Sequence, residues 1–404
     1  MRTRTRRRQG ADPVRSSSTV GALVVGGDYQ GLGIARSLGR HDVPVAVIDD
    51  EPSIARWSRY VGRRWSVPDL RDPATALAAL LRVGEALAPA RWVLFPTREE
   101  TVALAAEHRE ELEQFFRVPT PPMSAVRAAW DKRETYRLAE RTGVPTPRTW
   151  LPGNRAGLAD VDLSQPVVVK PAIKEHFFYA TGVKAWRADD LPSLQAAWDR
   201  AAAIVDPAEV MVQELVPGGG QRQLSYCAFV KDGVPVATMT AQRLRQHPSD
   251  FGRASTFVRT APLPELDAPS TAFLKAMDYY GLIELEYKVD GRDGIPRLLD
   301  VNARTWGYHT LGAAAGVDFP YLLYRDQVDL PVGPATTRDD VGWLRWSTDV
   351  PNAVRDVWHG RLRLADYARS LRKVDTESVV SWADPGPALA ELALLPYLAV
   401  RRGL

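Results

Sequence analysis

Between Leu282 and Leu311 the chain carries Glu286 in Ile-Glu-Leu-Glu-Tyr-Lys and then Asp300 and Asn302 in Leu-Leu-Asp-Val-Asn-Ala-Arg. Both stretches are apolar and alternating, and Asp290-Gly-Arg-Asp-Gly294 between them has turn composition. The pair predicts a β-hairpin in which side chains two apart share a face, so Glu286, Asp300 and Asn302 converge. Hard divalent cations take oxygen ligands, and magnesium accepts one or two protein carboxylates and completes its shell with water and phosphate oxygens. The three residues therefore outline a magnesium nucleotide site, with manganese as the alternative ion. The competing reading is a solvated hairpin face.

Upstream, Val167-Val-Val-Lys-Pro171 is a short apolar strand ending in a lysine, and Met211-Val-Gln-Glu-Leu-Val-Pro-Gly218 is a strand running into a glycine-rich turn. Asp131-Lys132 precedes both. With these motifs in this order the chain resembles the ATP-grasp superfamily, over residues 121–321 by specific motifs and beyond them by arrangement. The resemblance implies an α/β protein of the ATP-grasp fold: an N-terminal Rossmann-like β-α-β domain, then two α+β lobes that clamp a nucleotide, with a C-terminal helical appendage. It implies ATP and magnesium as cofactors, and Lys132 and Lys170 as the paired nucleotide-binding lysines, one from each lobe. The backbone from Glu214 through Leu215 to Val216, with Gln213 beside it, is implied to meet the adenine edge. Arg304, two residues beyond Asn302, is implied to face the phosphoryl group in transfer. Within the superfamily the chain looks most like the carboxylate-amine ligases related to D-aspartate and D-alanine ligases. Its expected partners are a small carboxylate and an amine, and no biotinyl-lysine segment is present to suggest biotin-dependent carboxylation.

Other charged residues fit around this frame. Lys184 follows the expected phosphate loop, Ala172 to Gly182, which holds one glycine and so points to Lys174 or His176 in place of backbone amides; for His176 the alternative is a surface histidine. No acid stands where relatives often bind the ribose, and Gln221 or Gln223 would serve instead. Arg243 and Arg245 end a strand on one side, suited to a substrate carboxylate or its acyl phosphate or, alternatively, to surface salt bridges. His309 would face the substrate or be structural.

The elements that must position these residues occupy a chain of 404 residues with 45% hydrophobic and 25% charged residues, enough for two or three soluble domains. Net charge is only +3, and the arginine run in Met1–Gly10 reads as a solvated tail over residues 1–18 and not as a nucleic-acid site. It lacks the apolar core of a secretory signal, the stretch Leu389–Val400 is too short to span a bilayer, and the single cysteine, Cys227, fits a reducing compartment; the expectation is cytoplasmic. Residues 19–120 contain strand Val20–Gly27, a helix from Gly31 to Leu38 and strand Val43–Asp49. Gly26, Gly27, Gly31 and Gly33, with Asp49 at the ribose-acid position, admit a dinucleotide-binding, NAD-dependent oxidoreductase as a third reading.

The linker Pro119–Met123 opens the ATP-grasp domain, 121–330, with Ser124 as a helix cap, a helix from Lys132 to Gly143 and a small lobe over 166–241 that includes strands Gln223–Val230 and Val234–Ala241. Residues 331–404 read as a helical packing or oligomer appendage, with helices Val354–Gly360, Leu364–Leu371 and Pro387–Leu398 and tryptophans Trp343, Trp346, Trp358 and Trp382. A homodimer is possible, since dimers are usual in the family. The alternative function is a nucleotide-binding protein with a degenerate site, acting as a regulatory or scaffold module through that tryptophan-rich segment.

Overall fold

The computed structural model describes residues 20–248, 252 and 254–402, so the expected basic tail and most of the loop at 249–253 lie outside the described residues. Three sheets organise the rest. The first is fully parallel, in the order Val61–Ser66, Val45–Asp49, Ala22–Val25, Trp92–Pro96, Phe116–Arg117. Its central strands are unbroken apolar runs, as a sheet covered on both faces requires. Val24, Val47 and Phe95 meet the helix Tyr29–Gly39 on one side. Leu23, Ala46, Ile48 and Leu94 meet the helices Pro73–Leu87 and Glu99–Glu107 on the other.

The second sheet is antiparallel, in the order Thr149–Trp150, Val210–Glu214, Val167–Pro171, Trp186–Ala188, and packs its apolar face on the helix Leu191–Ala202. This sheet makes the small lobe, and its membership corrects the expectation. Gln223–Lys231 and Val234–His247 belong instead to a third, eight-stranded sheet, in the order Pro296–Asn302, Gly281–Val289, Gln223–Lys231, Val234–His247, Ala254–Thr260, Gly342–Leu344, Thr376–Glu377, with Ala335–Thr336 branching from Val234–His247. Local alternation marks a strand but does not say which strand it pairs with.

One face of the large sheet, through Leu224, Tyr226, Leu285, Tyr287 and Val301, packs on the helices Met123–Trp130, Lys132–Thr142 and Asp267–Ala276. The first of these starts after Pro122 and not at Ser124, while Asp131 caps the second by accepting from Arg133 N, and Gly143 ends it at φ 70°. The opposite face is apolar at one end, where Phe229, Met239 and Trp343 join the core of the N-terminal sheet, and charged at the other.

The C-terminal segment is also corrected. It is no appendage: Gly342–Leu344 is a buried strand of the large sheet and Trp343 is fully enclosed. Its helices are Trp346–Trp358, Leu364–Leu371 and Gly386–Arg402. A three-residue strand is shorter than any periodicity can register.

Arg245 anchors this segment. Its guanidinium donates to both carboxylate oxygens of the fully buried Asp349, at 2.8 and 2.7 Å, and to Ser370 Oγ at 2.7 Å, between the rings of Phe257 and Tyr367. The strand's register shifts between Arg243 and Arg245, so the two do not share a face as alternation would have it. Removing one partner of a buried pair leaves the other charge uncompensated. Arg245→Ala is expected to cost about 3 kcal/mol of stability in denaturant titration while the folded fraction keeps its activity. Activity falling well beyond the loss of folded protein would return Arg245 to the reaction.

Candidate active site

The acidic hairpin sets the site. Gly281–Val289 and Pro296–Asn302 pair so that Glu286 stands directly opposite Asp300, and Glu284 opposite Asn302. The next strand brings Ser225 beside Glu286, and the one after aligns Arg243 with Gln223. The hydrogen bonds follow that register. Asn302 Nδ2 donates to Glu284 and Glu286, both at 3.0 Å, and Arg243 donates to Glu286 at 2.9 Å and to Gln223 at 2.9 Å.

Cations arrive from other elements. Lys132, at the start of its helix, donates to Asp300 Oδ1 at 2.7 Å. Lys170, on the small-lobe strand, donates to Gln213 Oε1 at 2.7 Å and to Tyr136 Oη at 3.1 Å. Arg304 donates to Glu99 at 2.6 Å, reaching into the N-terminal unit, and to Asn302 Oδ1 at 3.3 Å.

Two cavities meet at this cluster. The larger, about 620 Å³, lies between the small and large sheets and is lined by Lys170, the hinge from Gln213 to Val216, and Gln223. Its size is that of a nucleotide-scale pocket. The smaller, about 160 Å³, is lined by Arg304, Asn302, Glu284, Tyr29 and Gln30. Both include Lys174, Lys184, Arg243, Glu286 and Asp300, which form the wall between them. A third cavity of about 450 Å³, at the N-terminal glycine turn, shares Tyr29, Gln30, Phe178 and Ala254 with the smaller one.

Burial opposes ionisation here, and neighbours decide the outcome. For Asp300 burial is outweighed by Lys132, Lys174 and Lys184, which hold its carboxyl well below the usual range. For Glu286 burial is outweighed by Arg243 and Lys184, and its carboxyl too is held low. Glu284 is pushed up to about 7 by burial and by the charge of Glu286. Lys184 is pulled down to about 8 by burial, which Glu286 only partly offsets. The oxygen donors Glu286, Asp300 and Asn302 fit magnesium, whose demand is one or two carboxylates plus phosphate and water. Among the described residues no group of three or more histidine, cysteine or carboxylate side chains is arranged to hold a metal, and the amide of Asn302 would make the third donor.

No protein-family model matches the chain. It is 22% identical over 322 residues to a D-aspartate ligase of Enterococcus faecium (strain Aus0004), covering 76% of each protein. The solved L-amino acid ligase from Bacillus licheniformis aligns over 78% of this chain and 75% of its own, with a TM-score of 0.59 at 17% identity. The biotin carboxylase domain of Hydrogenobacter thermophilus 2-oxoglutarate carboxylase, solved with MgADP and bicarbonate, aligns over 80% of this chain and 73% of its own, with a TM-score of 0.64 at 13% identity. The chain has the ATP-grasp fold.

Several expected residues take different places in this candidate site. The expected phosphate loop is a helix, Lys174–Thr181, ended by Gly182 at φ 72°. It turns Lys174 into both cavities, while His176 points outward to Glu209 at 2.9 Å. Lys184 lines both cavities and donates to Gly252 O at 3.2 Å. Gln221 lies outside the nucleotide cavity, in the short turn Gly220–Arg222, with its carbonyl accepting from Gln242; Gln223 is the amide inside. In the hinge, Glu214 N–H and Leu215 N–H are spent on Arg148 O and Pro166 O, and the Glu214 carboxylate accepts from Arg148 N and Arg292.

His309 is structural: Nδ1 donates to Trp306 O, burial pulls its pKa down to about 4, and its ring fills the space over Gly33. Asp49 accepts from Gly27 N at 2.6 Å and pairs with Arg98 at 3.0 Å, so the glycine turn consumes the acid that a ribose would need.

Sequence reasoning missed Glu284, although its position two before Glu286 puts it on the same face. It also missed Tyr308, which donates to Glu284, and Glu99, for which no local signal exists. Gln223→Ala is expected to weaken nucleotide binding about tenfold in calorimetric titration, while Gln221→Ala leaves it within twofold; the reverse order would restore the original placement.

Proposed function

We propose that this protein is an ADP-forming carboxylate-amine ligase that makes an amide or peptide bond through an acyl phosphate. The observation that carries the reading is the shared wall of the two cavities, where Lys174, Lys184, Arg243, Glu286 and Asp300 stand between a nucleotide-sized space and a small polar one. ATP occupies the larger space, with Lys132 and Lys170 on its phosphates, Gln223 on its ribose and the hinge beyond Leu215, at Val216, meeting the adenine. Glu286, Asp300 and Asn302 would hold magnesium, which would supply charge neutralisation to the phosphates.

The substrate carboxylate lies in the smaller cavity beside Arg304. Its oxygen attacks the γ-phosphorus, the bond to the β-phosphate oxygen breaks and ADP leaves. The nitrogen of the amine then attacks the acyl carbon, phosphate departs and the nitrogen loses its proton. Arg304 and the wall lysines are fixed cations aimed at oxygens that gain charge in both steps, which is where phosphoryl transfer takes most of its catalysis. Glu99 holds the Arg304 guanidinium in place, as Asp131 holds the start of the Lys132 helix. The D-aspartate and L-amino acid ligases among the similar proteins support this chemistry, and the arginines around the site suit a small acidic substrate. Among the described residues, the cations and carboxylates gathered on the shared wall favour a working ligase over a degenerate nucleotide-binding module.

The test is ADP and phosphate release from MgATP against pooled amino acids and amines, with mass spectrometry of the products. A condensed product is expected, and Lys170→Ala and Asp300→Asn are each expected to slow release by at least about a hundredfold. Near-normal rates in both variants would remove the assignment.

A further inference from the structure

The C-terminal segment turns an apolar face outward. In the helix Trp346–Trp358, residues Trp346, Val350, Val354 and Trp358 recur every four positions and line one side, opposite the buried Thr348, Asp349, Asn352 and Ala353. Trp358 is 87% exposed. The helix Gly386–Arg402 has its polarity reversed. Glu391 is its one charged residue before Arg401, and that carboxylate is buried against Arg345 at 3.2 Å, whereas Leu389 and Leu392 face water. Trp382, just before this helix, is 98% exposed. The two helices are tied where Ser347 Oγ donates to Glu391 at 3.0 Å. A soluble surface rarely leaves this much apolar area uncovered.

The surroundings are basic. From Arg355 to Lys373 there are six arginines and lysines against two aspartates, a larger local excess than the +3 of the whole chain. Arg363 and Arg369 belong to the segment around Leu364–Leu371, a helix that buries no residue.

We propose that this face docks on an anionic lipid bilayer surface, with the indoles and leucines at the boundary between headgroups and acyl chains and the basic residues on lipid phosphates. Tryptophan is favoured at that boundary, and arginine extends its apolar stem there while its charge stays with the headgroups. A twofold contact with a second copy would set the same basic stretch against itself. The binding is peripheral: no described helix is long and apolar enough to cross a membrane.

The experiment is flotation of the full-length protein with vesicles of phosphatidylcholine, with and without phosphatidylglycerol. It compares wild type with Trp358→Ser/Trp382→Ser and Leu389→Ser/Leu392→Ser, each checked by circular dichroism and ATP turnover. The expected result is binding to the anionic vesicles that salt weakens and that each double variant reduces by about tenfold or more, with fold and turnover unchanged. Wild type failing to float with anionic vesicles overturns the proposal. Variants that float as well as wild type also overturn it, because the N-terminal arginines, common to all, would then carry the binding. A solution dimer that the variants dissociate, without vesicle binding, assigns the face to a second copy and overturns it as well.

Discussion

Glu286 and Asp300 stand opposite each other on neighbouring strands, and two ionised carboxylates at such cross-strand spacing repel by about 3 kcal/mol at the effective dielectric of a protein site. Both are nonetheless held charged, and much of the architecture follows from how. The flanking residues Glu284 and Asn302 bring no cation and the hairpin's own Lys288 lies farther along the strand, so the charges that hold the two acids come mainly from other elements. Lys132 comes from a helix start, Arg243 from two strands away, and Lys174 and Lys184 from the insertion after the small-lobe strand. The acids are thus the point on which the small lobe, the large sheet and the N-terminal unit close. Glu284 shows the limit of that supply: burial and the charge of Glu286 push it up to about 7, against which Arg243 and the hydrogen bonds from Tyr308 and Ser225 act only in part.

The same balance would suit a nucleotide carrying its metal at the proposed site. Lys132, Lys170, Lys174, Lys184, Arg243, Lys288 and Arg304 outnumber the acids Glu99, Glu175, Glu284, Glu286 and Asp300, leaving a modest positive excess. A bare triphosphate would overshoot that excess and crowd the carboxylates with like charge. A magnesium ion would offset two of those charges, and Glu286 and Asp300 are the carboxylates that would hold it.

How much of this was legible depended on whether the signal was local. The hairpin could be read because alternation and a turn lie within twenty-odd residues, and register then follows from the pleat. The helix from Lys132 could be read because Gly143 marks its end, whereas the cap at its start, Asp131, comes from the structure. Arg245 was misplaced because a register shift, invisible in composition, separates it from Arg243. The segment Lys174–Thr181 was read as a loop through the family resemblance, although Lys-Glu-His-Phe-Phe-Tyr-Ala-Thr followed by Gly182 is a plausible helix and cap on its own residues. The strand Gly342–Leu344 and the contact of Glu99 with Arg304 rest on pairings across most of the chain, which no local pattern carries.

The N-terminal glycines illustrate how one sequence feature serves either of two ends. A glycine-rich turn after a strand can open backbone amides to a phosphate, or it can let two segments approach closely. Here the second holds. Asp49 takes the Gly27 amide, and a side chain on Gly33 would meet His309 Nε2 at 2.6 Å, so the helix Tyr29–Gly39 lies directly on the segment after the acidic hairpin. That contact sends Gln30 to the carbonyl of Thr305, beside Arg304, and to Thr97 O at 3.2 Å, while Tyr29 lines the smaller cavity. The turn therefore builds a wall of the candidate reaction cavity rather than a second nucleotide site. Its glycines matter because any larger residue at Gly33 would push the helix, and with it Gln30, away from Arg304.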